Sequence, residues 1–159
     1  MPEAIAIQSA SRSAGELLAS QPISAARLRP EEGLEGIIAT VLTNAGKAII
    51  SNRVIGSGTE PKYAAIGTGA GTAAAADTTL FTEVETRVGT NSGTQVTTTT
   101  TSDSYQVVNT VAITATRAIT NAGNFDAVTS GNLMVHGDFA TINLVNGDSL
   151  QLTVKVAFA

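Results

Sequence analysis

The sequence predicts a mainly β protein, a jelly-roll-like β-sandwich with one short helix and an extended N-terminal arm. Three observations carry that expectation. From residue 63 to the end, short apolar segments alternate with turn residues at the spacing of strands. Thr, Ala and Gly abound while aromatics make up only 4% of the chain, a mix that suits tightly packed strands better than a helical bundle. Helical spacing holds convincingly in one place only, between residues 43 and 55. A chain of 159 residues fits one domain that buries roughly 68–70% of its unfolded surface without staples.

In chain order, residues 1–36 read as the arm and 37–159 as the sandwich domain. The arm scatters large apolar residues (Leu17, Leu18, Ile23, Leu28) without a period, and Pro22 and Pro30 interrupt any long helix. A short helix fits at 13–20. Fully extended, about 30 residues reach on the order of 100 Å, so those four side chains are candidate contacts with a partner. A disordered tail is the competing reading. The domain opens with an apolar run at 37–42. Thr43 can then cap a helix whose Ala45, Ala48, Ile49 and Asn52 share a face. Gly46 weakens that helix by roughly 1 kcal/mol, and Gly56 and Gly58 stop it.

Strands are expected at 63–67, 83–88, 94–101, 105–114 and 117–126. A turn or short helical piece falls near 76–80, and turns fall at 91–93 and 102–104. In the Thr run 97–101, alternate residues are expected to pack a methyl group inward. Tyr105, Val107, Val111 and Ile113 share one face, and Ile119 and Phe125 share another. Leu133, Val135 and Phe139 alternate in the next strand, and Ile142 and Leu144 continue it. Asn146-Gly147 is the strongest hairpin signal, since both residues tolerate positive φ. The final strand turns Leu150, Leu152, Val154, Val156 and Phe158 to one side. Burying five such side chains contributes roughly 8–15 kcal/mol gross, most of it offset by chain entropy.

Composition removes several classes of function. The chain has no Cys, which excludes thiol catalysis, a disulfide framework and a Cys-ligated metal. Its formal charge of -4 offers no basic footprint for nucleic acid. No apolar run reaches the ~20 residues of a membrane-spanning helix. The N-terminal residues lack the basic start and long apolar stretch of a secretory signal.

The motifs that remain each have a chemical and a structural reading. Gly67-Thr68-Gly69-Ala70-Gly71 follows a strand, as a dinucleotide-binding loop would. Its third glycine is out of register, however, and no adequate helix follows. Gly46-Lys47 has Val41 where a phosphate loop needs Gly. His136 is the only histidine, so a metal site has no second imidazole. Alternation sets it with Met134 and Asp138, as a surface or subunit-contact residue. No G-x-S-x-G elbow accompanies it. Glu83 and Glu85 stand two apart on a strand and so share a face, the raw material of a glycosidase pair. Arg87 beside them favours a solvated ion pair instead. Glu31, Glu32 and Glu35 read as a solvated cluster. No cofactor and no catalytic residue is expected.

Five segments carry a family likeness: LTNAGKAIISNRV (42–54), KYAAIGTGAGTAAAADTTLFTEV (62–84), SYQVVNTVAI (104–113), AITNAGNFDAVTSGNLMVHGDF (118–139) and INLVNGDSLQLTVKVAF (142–158). This order resembles small β-rich structural proteins of tailed bacteriophages. In that group a strand enters a Gly-Thr-rich loop, continues into an Ala-Asp-Thr-x-Leu turn and closes with a Gly-Asp-Ser-Leu strand. The likeness covers residues 42–159. It implies a non-enzymatic virion protein on the outer surface of the capsid, a decoration or cement protein that clamps neighbouring major capsid subunits. It also implies a homo-oligomer, a trimer before a dimer, with no nucleic-acid or membrane partner. A tail, fibre or baseplate component is the alternative.

Overall fold

The computed structural model describes residues 5–8, 39–89 and 92–158. The elements run β1 (Ile5–Gln8), β2 (Ala39–Leu42), α1 (Asn44–Val54), β3 (Tyr63–Gly67), β4 (Glu83–Val88), β5 (Thr94–Val96), β6 (Ser104–Ala112), β7 (Arg117–Phe125), β8 (Leu133–Leu144) and β9 (Ser149–Ala157). They form two antiparallel sheets, a four-stranded one ordered β1-β9-β6-β5 and a five-stranded one ordered β2-β8-β7-β3-β4. The expected sandwich with one short helix is therefore the fold. Ile66, Val135, Ile119, Val107, Val111, Leu150, Leu152 and Val154 fill the core between the sheets.

The helix forms as its sequence dictates. The Thr43 hydroxyl accepts the Gly46 N–H at 2.9 Å, which satisfies one orphan donor of the first turn. Thr43 is itself buried, and its backbone N–H donates to Met134 O at 3.0 Å. Gly46 lets the helix lie directly on β8, since a Cβ there would sit 2.3 Å from Met134 O.

The strands depart from simple alternation at irregularities in the pairing. On β8, Leu133 pairs with Phe125 and Val135 with Asn124, so Met134 is an extra residue. That insertion moves Leu133 to the outer face with Phe125, Ala65 and Leu80, while Val135 faces the core. A second shift, between Ile119 and Asn121, sends Ile119 into the main core. Ile119 and Phe125, expected on one face, thus lie in separate clusters.

Three more expectations are corrected. β5 ends at Val96, and residues 97–101 form a loop around Asp103 in place of a strand. The Asp103 carboxylate accepts the backbone N–H groups of Thr98, Thr99 and Thr100, each at 2.8 Å. Asn146-Gly147 makes a tight turn, with Gly147 at φ 93°, but not a hairpin. It carries the chain from β8 in one sheet to β9 in the other, and Gly147 N–H donates to Ile113 O. Finally, β9 buries Leu150, Leu152, Val154 and Val156, whereas Phe158 follows the strand and is 47% exposed.

β1 lies inside the segment read as an arm. It pairs antiparallel with β9, placing Ile5 opposite Val156 and Gln8 opposite Thr153.

Candidate functional site

The densest gathering of polar side chains lies on the outer face of the five-stranded sheet, under the Gly-Thr-Ala loop. β3 leaves the sheet at Gly67, and residues 68–82 fold back over that face before β4 begins. Thr68 N–H donates to Thr82 O and Gly69 N–H to Phe81 O, so the loop is pinned across its own base. Asn121 stands beneath, donating from Nδ2 to Phe81 O at 3.0 Å and accepting Phe81 N–H at Oδ1. Asp138 accepts Ala73 N–H at 2.8 Å, and Asn44 N–H donates to Ala75 O at 2.8 Å. The glycines serve close approach. A Cβ on Gly67 would meet Phe81 O at 2.5 Å, and one on Gly71 would meet the Phe81 ring at the same distance. With the N–H groups of Thr68, Gly69, Ala73 and Ala74 bonded to protein oxygens, the loop lies as a cover over the sheet face.

His136 sits at the centre of this cover. Strand pairing sets it on the outer face with Gly123 and Val41, and it is wholly buried. Its Nδ1 lies 2.7 Å from Asp77 Oδ2, and its ring tilts against Phe81 at 4.6 Å between centroids. Facing a carboxylate, Nδ1 carries the proton and donates it. The same Asp77 oxygen accepts Ala74 N–H at 2.8 Å. The sequence had set His136 at the surface beside Asp138; its partner is Asp77, and the surface is closed by the loop. A His–Asp pair is one half of a nucleophile-activating relay. The other half needs a hydroxyl at Nε2, and among the described residues that atom is buried without a hydrogen-bond partner. The pair fastens the loop to the sheet.

Glu83 and Glu85 do not act as a pair. Glu85 has φ 61°, at the irregularity between β3 and β4, and this backbone twist parts the two carboxylates. Glu83 grips Arg87 through two hydrogen bonds of 2.7 and 2.8 Å. The Arg87 guanidinium stacks 3.4 Å over the Phe125 ring and donates to Ala127 O and Ser130 O, binding the β7–β8 turn. Glu85 turns instead to Thr114 Oγ1 at 2.7 Å and Arg117 Nε at 3.0 Å. Burial pushes the Glu85 carboxyl up, but the hydrogen bonds from Thr114 and Arg117 and the Arg117 charge together outweigh it and hold it below its ordinary range.

A third cluster closes one end of the sandwich. Tyr105 OH donates to Pro61 O at 3.0 Å, Asn124 Nδ2 to the same oxygen at 2.7 Å, and Asn109 Nδ2 to Lys62 O at 2.7 Å. Burial, then the nearby Glu60 charge and a hydrogen bond to it, raise the Tyr105 phenol.

An open cavity of about 290 Å³ lies between α1 and the β7–β8 turn, lined by Ala48, Ile49, Asn52, Asp126 and Asn132 among others. Beside it the helix ends in Val54 and Ile55, exposed by 81% and 75%. The candidate contacts Leu17, Leu18, Ile23 and Leu28 lie outside the described residues. Asp77 and Phe81 were missed as partners of His136, because only the folded-back loop brings them to it. Among the described residues, no group of His, Asp and Glu is placed to hold a metal ion. Comparison with family models, with curated proteins and with solved structures gave no match.

Proposed function

We propose that this chain is a non-enzymatic structural protein of a phage particle, decorating the capsid and clamping neighbouring major capsid subunits as a homo-oligomer. The observation that carries this reading is how the carboxylates are used. Asp77 fastens a loop, Glu83 holds Arg87 against a turn, Glu85 joins β4 to the β6–β7 connection, and Asp103 and Asp126 each organise a turn. Each is engaged with its own chain in a way that stiffens a connection. Such a distribution suits a rigid block that bears load. The exposed Val54 and Ile55 beside the α1 cavity add an apolar surface for a protein neighbour. The likeness to phage structural proteins supplies the biological setting.

The test is an image reconstruction of the particle that carries this chain, with its copy number measured by quantitative mass spectrometry. The expected result is symmetric density on the capsid exterior at a fixed ratio to the major capsid protein. Density confined to the tail would replace this reading with the tail-component alternative. Absence from purified particles would overturn both.

A further inference from the structure

We infer that Asn146 is the chain's site of spontaneous deamidation, and that the fold guards it by holding the attacking nitrogen, that of Gly147, against Ile113. Asn146 is the only asparagine in the chain followed by glycine. With no Cβ on the next residue, little hinders the backbone nitrogen as it closes on the asparagine side chain. In the reaction the Gly147 nitrogen gives its proton to solvent base and attacks Asn146 Cγ. The new N–Cγ bond forms, the Cγ–Nδ2 bond breaks and ammonia leaves, which closes a cyclic imide. Water then adds to one of the two imide carbonyls. Opening at one gives aspartate. Opening at the other gives isoaspartate, in which an extra methylene has entered the main chain. Water is the only co-reactant, and nothing is oxidised or reduced.

The turn combines access with restraint. Val145, Asn146 and Gly147 are exposed, and a Cβ on Gly147 would meet nothing within 4 Å, so water and base reach the site. Yet Gly147 N–H donates to Ile113 O at 2.9 Å, and Ile113 N–H donates back to Asp148 O at 2.9 Å. Asp148 N–H reaches Val145 O at 3.1 Å, and Val145 N–H donates to Asp148 Oδ2 at 2.9 Å. Attack by the Gly147 nitrogen breaks the first of these bonds and draws the turn away from the β6–β7 connection. The reaction therefore waits for a local opening, and unfolding releases it. Isoaspartate makes the opening permanent. Its extra main-chain atom stands beside Gly147 and shifts the register of both Ile113 bonds, where the chain passes from one sheet to the other. A chain that has opened here is thereby marked.

The test follows the purified full chain at mildly alkaline pH, folded and, in parallel, unfolded in urea. Peptide mapping by mass spectrometry reads the amide-to-acid mass gain at each asparagine over time. Synthetic peptides of residues 141–152 carrying aspartate or isoaspartate at position 146 identify the two products by their retention. In the unfolded chain, Asn146 should convert ahead of every other asparagine and give both products. In the folded chain its conversion should be at least about tenfold slower, since it proceeds only through the opened turn. Asn146→Gln should remove the early conversion from the unfolded chain. Another asparagine converting first in the unfolded chain, or no conversion at all, overturns the assignment of the site. Conversion of Asn146 at equal or greater rate in the folded chain overturns the guard.

Discussion

Glu85 shows how one residue's conformation decides what its charge can do. Its φ of 61° turns the side chain away from Glu83 and toward Thr114 and Arg117, where only 5% of it remains exposed. The carboxyl is held below its ordinary range, so the folded state favours the charged form. That stabilisation is complete above the unfolded carboxyl value of about 4.3, and is lost as pH falls through the lower folded value. Glu85→Gln should therefore cost about 1 kcal/mol at pH 7, given that Arg117 is a third exposed and screened by solvent. The cost should persist to about pH 5 and shrink toward zero in stronger acid. Urea unfolding of both proteins across that range measures it, and a pH-independent difference would remove the charge from the explanation. His136 shows the limit of sequence at this scale. Strand alternation set it with Asp138, and the pairing places both on the outer face. Its burial and its bond to Asp77 depend on a loop whose path leaves no mark in the periodicity of β8.

At the scale of elements, local signals were legible where capping or hydrophobic period alone makes the element. The cap at Thr43, the helix after it and the stop at Gly56 could be read because each rests on residues a few positions apart. The same is true of the β9 alternation from Leu150 to Val156. Departures arose where a competing contact, near or far along the chain, overrides the periodic pattern. Thr residues 97–101 have strand propensity, yet the Asp103 carboxylate offers the N–H groups of Thr98, Thr99 and Thr100 a stronger partner than a neighbouring strand. Asn146-Gly147 has hairpin chemistry, but β9 finds β6 and β1, so the turn joins two sheets. Gly46 tests the same conflict in the helix. Alanine there raises intrinsic helix stability by about 1 kcal/mol. Its Cβ would press to 2.3 Å from Met134 O and 2.8 Å from Leu42 Cδ1, and the first of these is backbone that cannot rotate away. Gly46→Ala should therefore be destabilising, with an overpacking penalty of about 1–3 kcal/mol exceeding the gain. Ser51→Ala, on the exposed part of the same helix, should be neutral or slightly stabilising. Thermal unfolding of the two variants checks the order, and a stabilised Gly46→Ala would show that α1 can lift from β8.

For the whole molecule, the question is what closes the flank where the four-stranded sheet begins. β1 covers one side of β9, and β6 pairs the other side along nine residues, from Ser104 opposite Ala157 to Ala112 opposite Ser149. The sandwich core is therefore held by β6 and β9 whether or not β1 is present. The division of the chain into an arm and a domain can be tested on that basis. A chain lacking residues 1–8 should still unfold cooperatively. The lost ladder, less the entropy of ordering four residues, should lower stability by about 1–2 kcal/mol, or roughly 2–8 °C in Tm. The uncovered edge at residues 153–156 should promote concentration-dependent association, because among the described residues no strand other than β1 stands beyond β9 on that side. A synthetic peptide of residues 1–12 added in trans should reverse that association by filling the edge. Differential scanning calorimetry and sedimentation velocity on the truncated chain, with and without the peptide, read both effects. A truncated protein with unchanged Tm and no added association would show that β1 contributes nothing to the edge of β9. A truncated protein that fails to unfold cooperatively would show that the segment belongs to the core, and the division at residue 36 would then have to be abandoned.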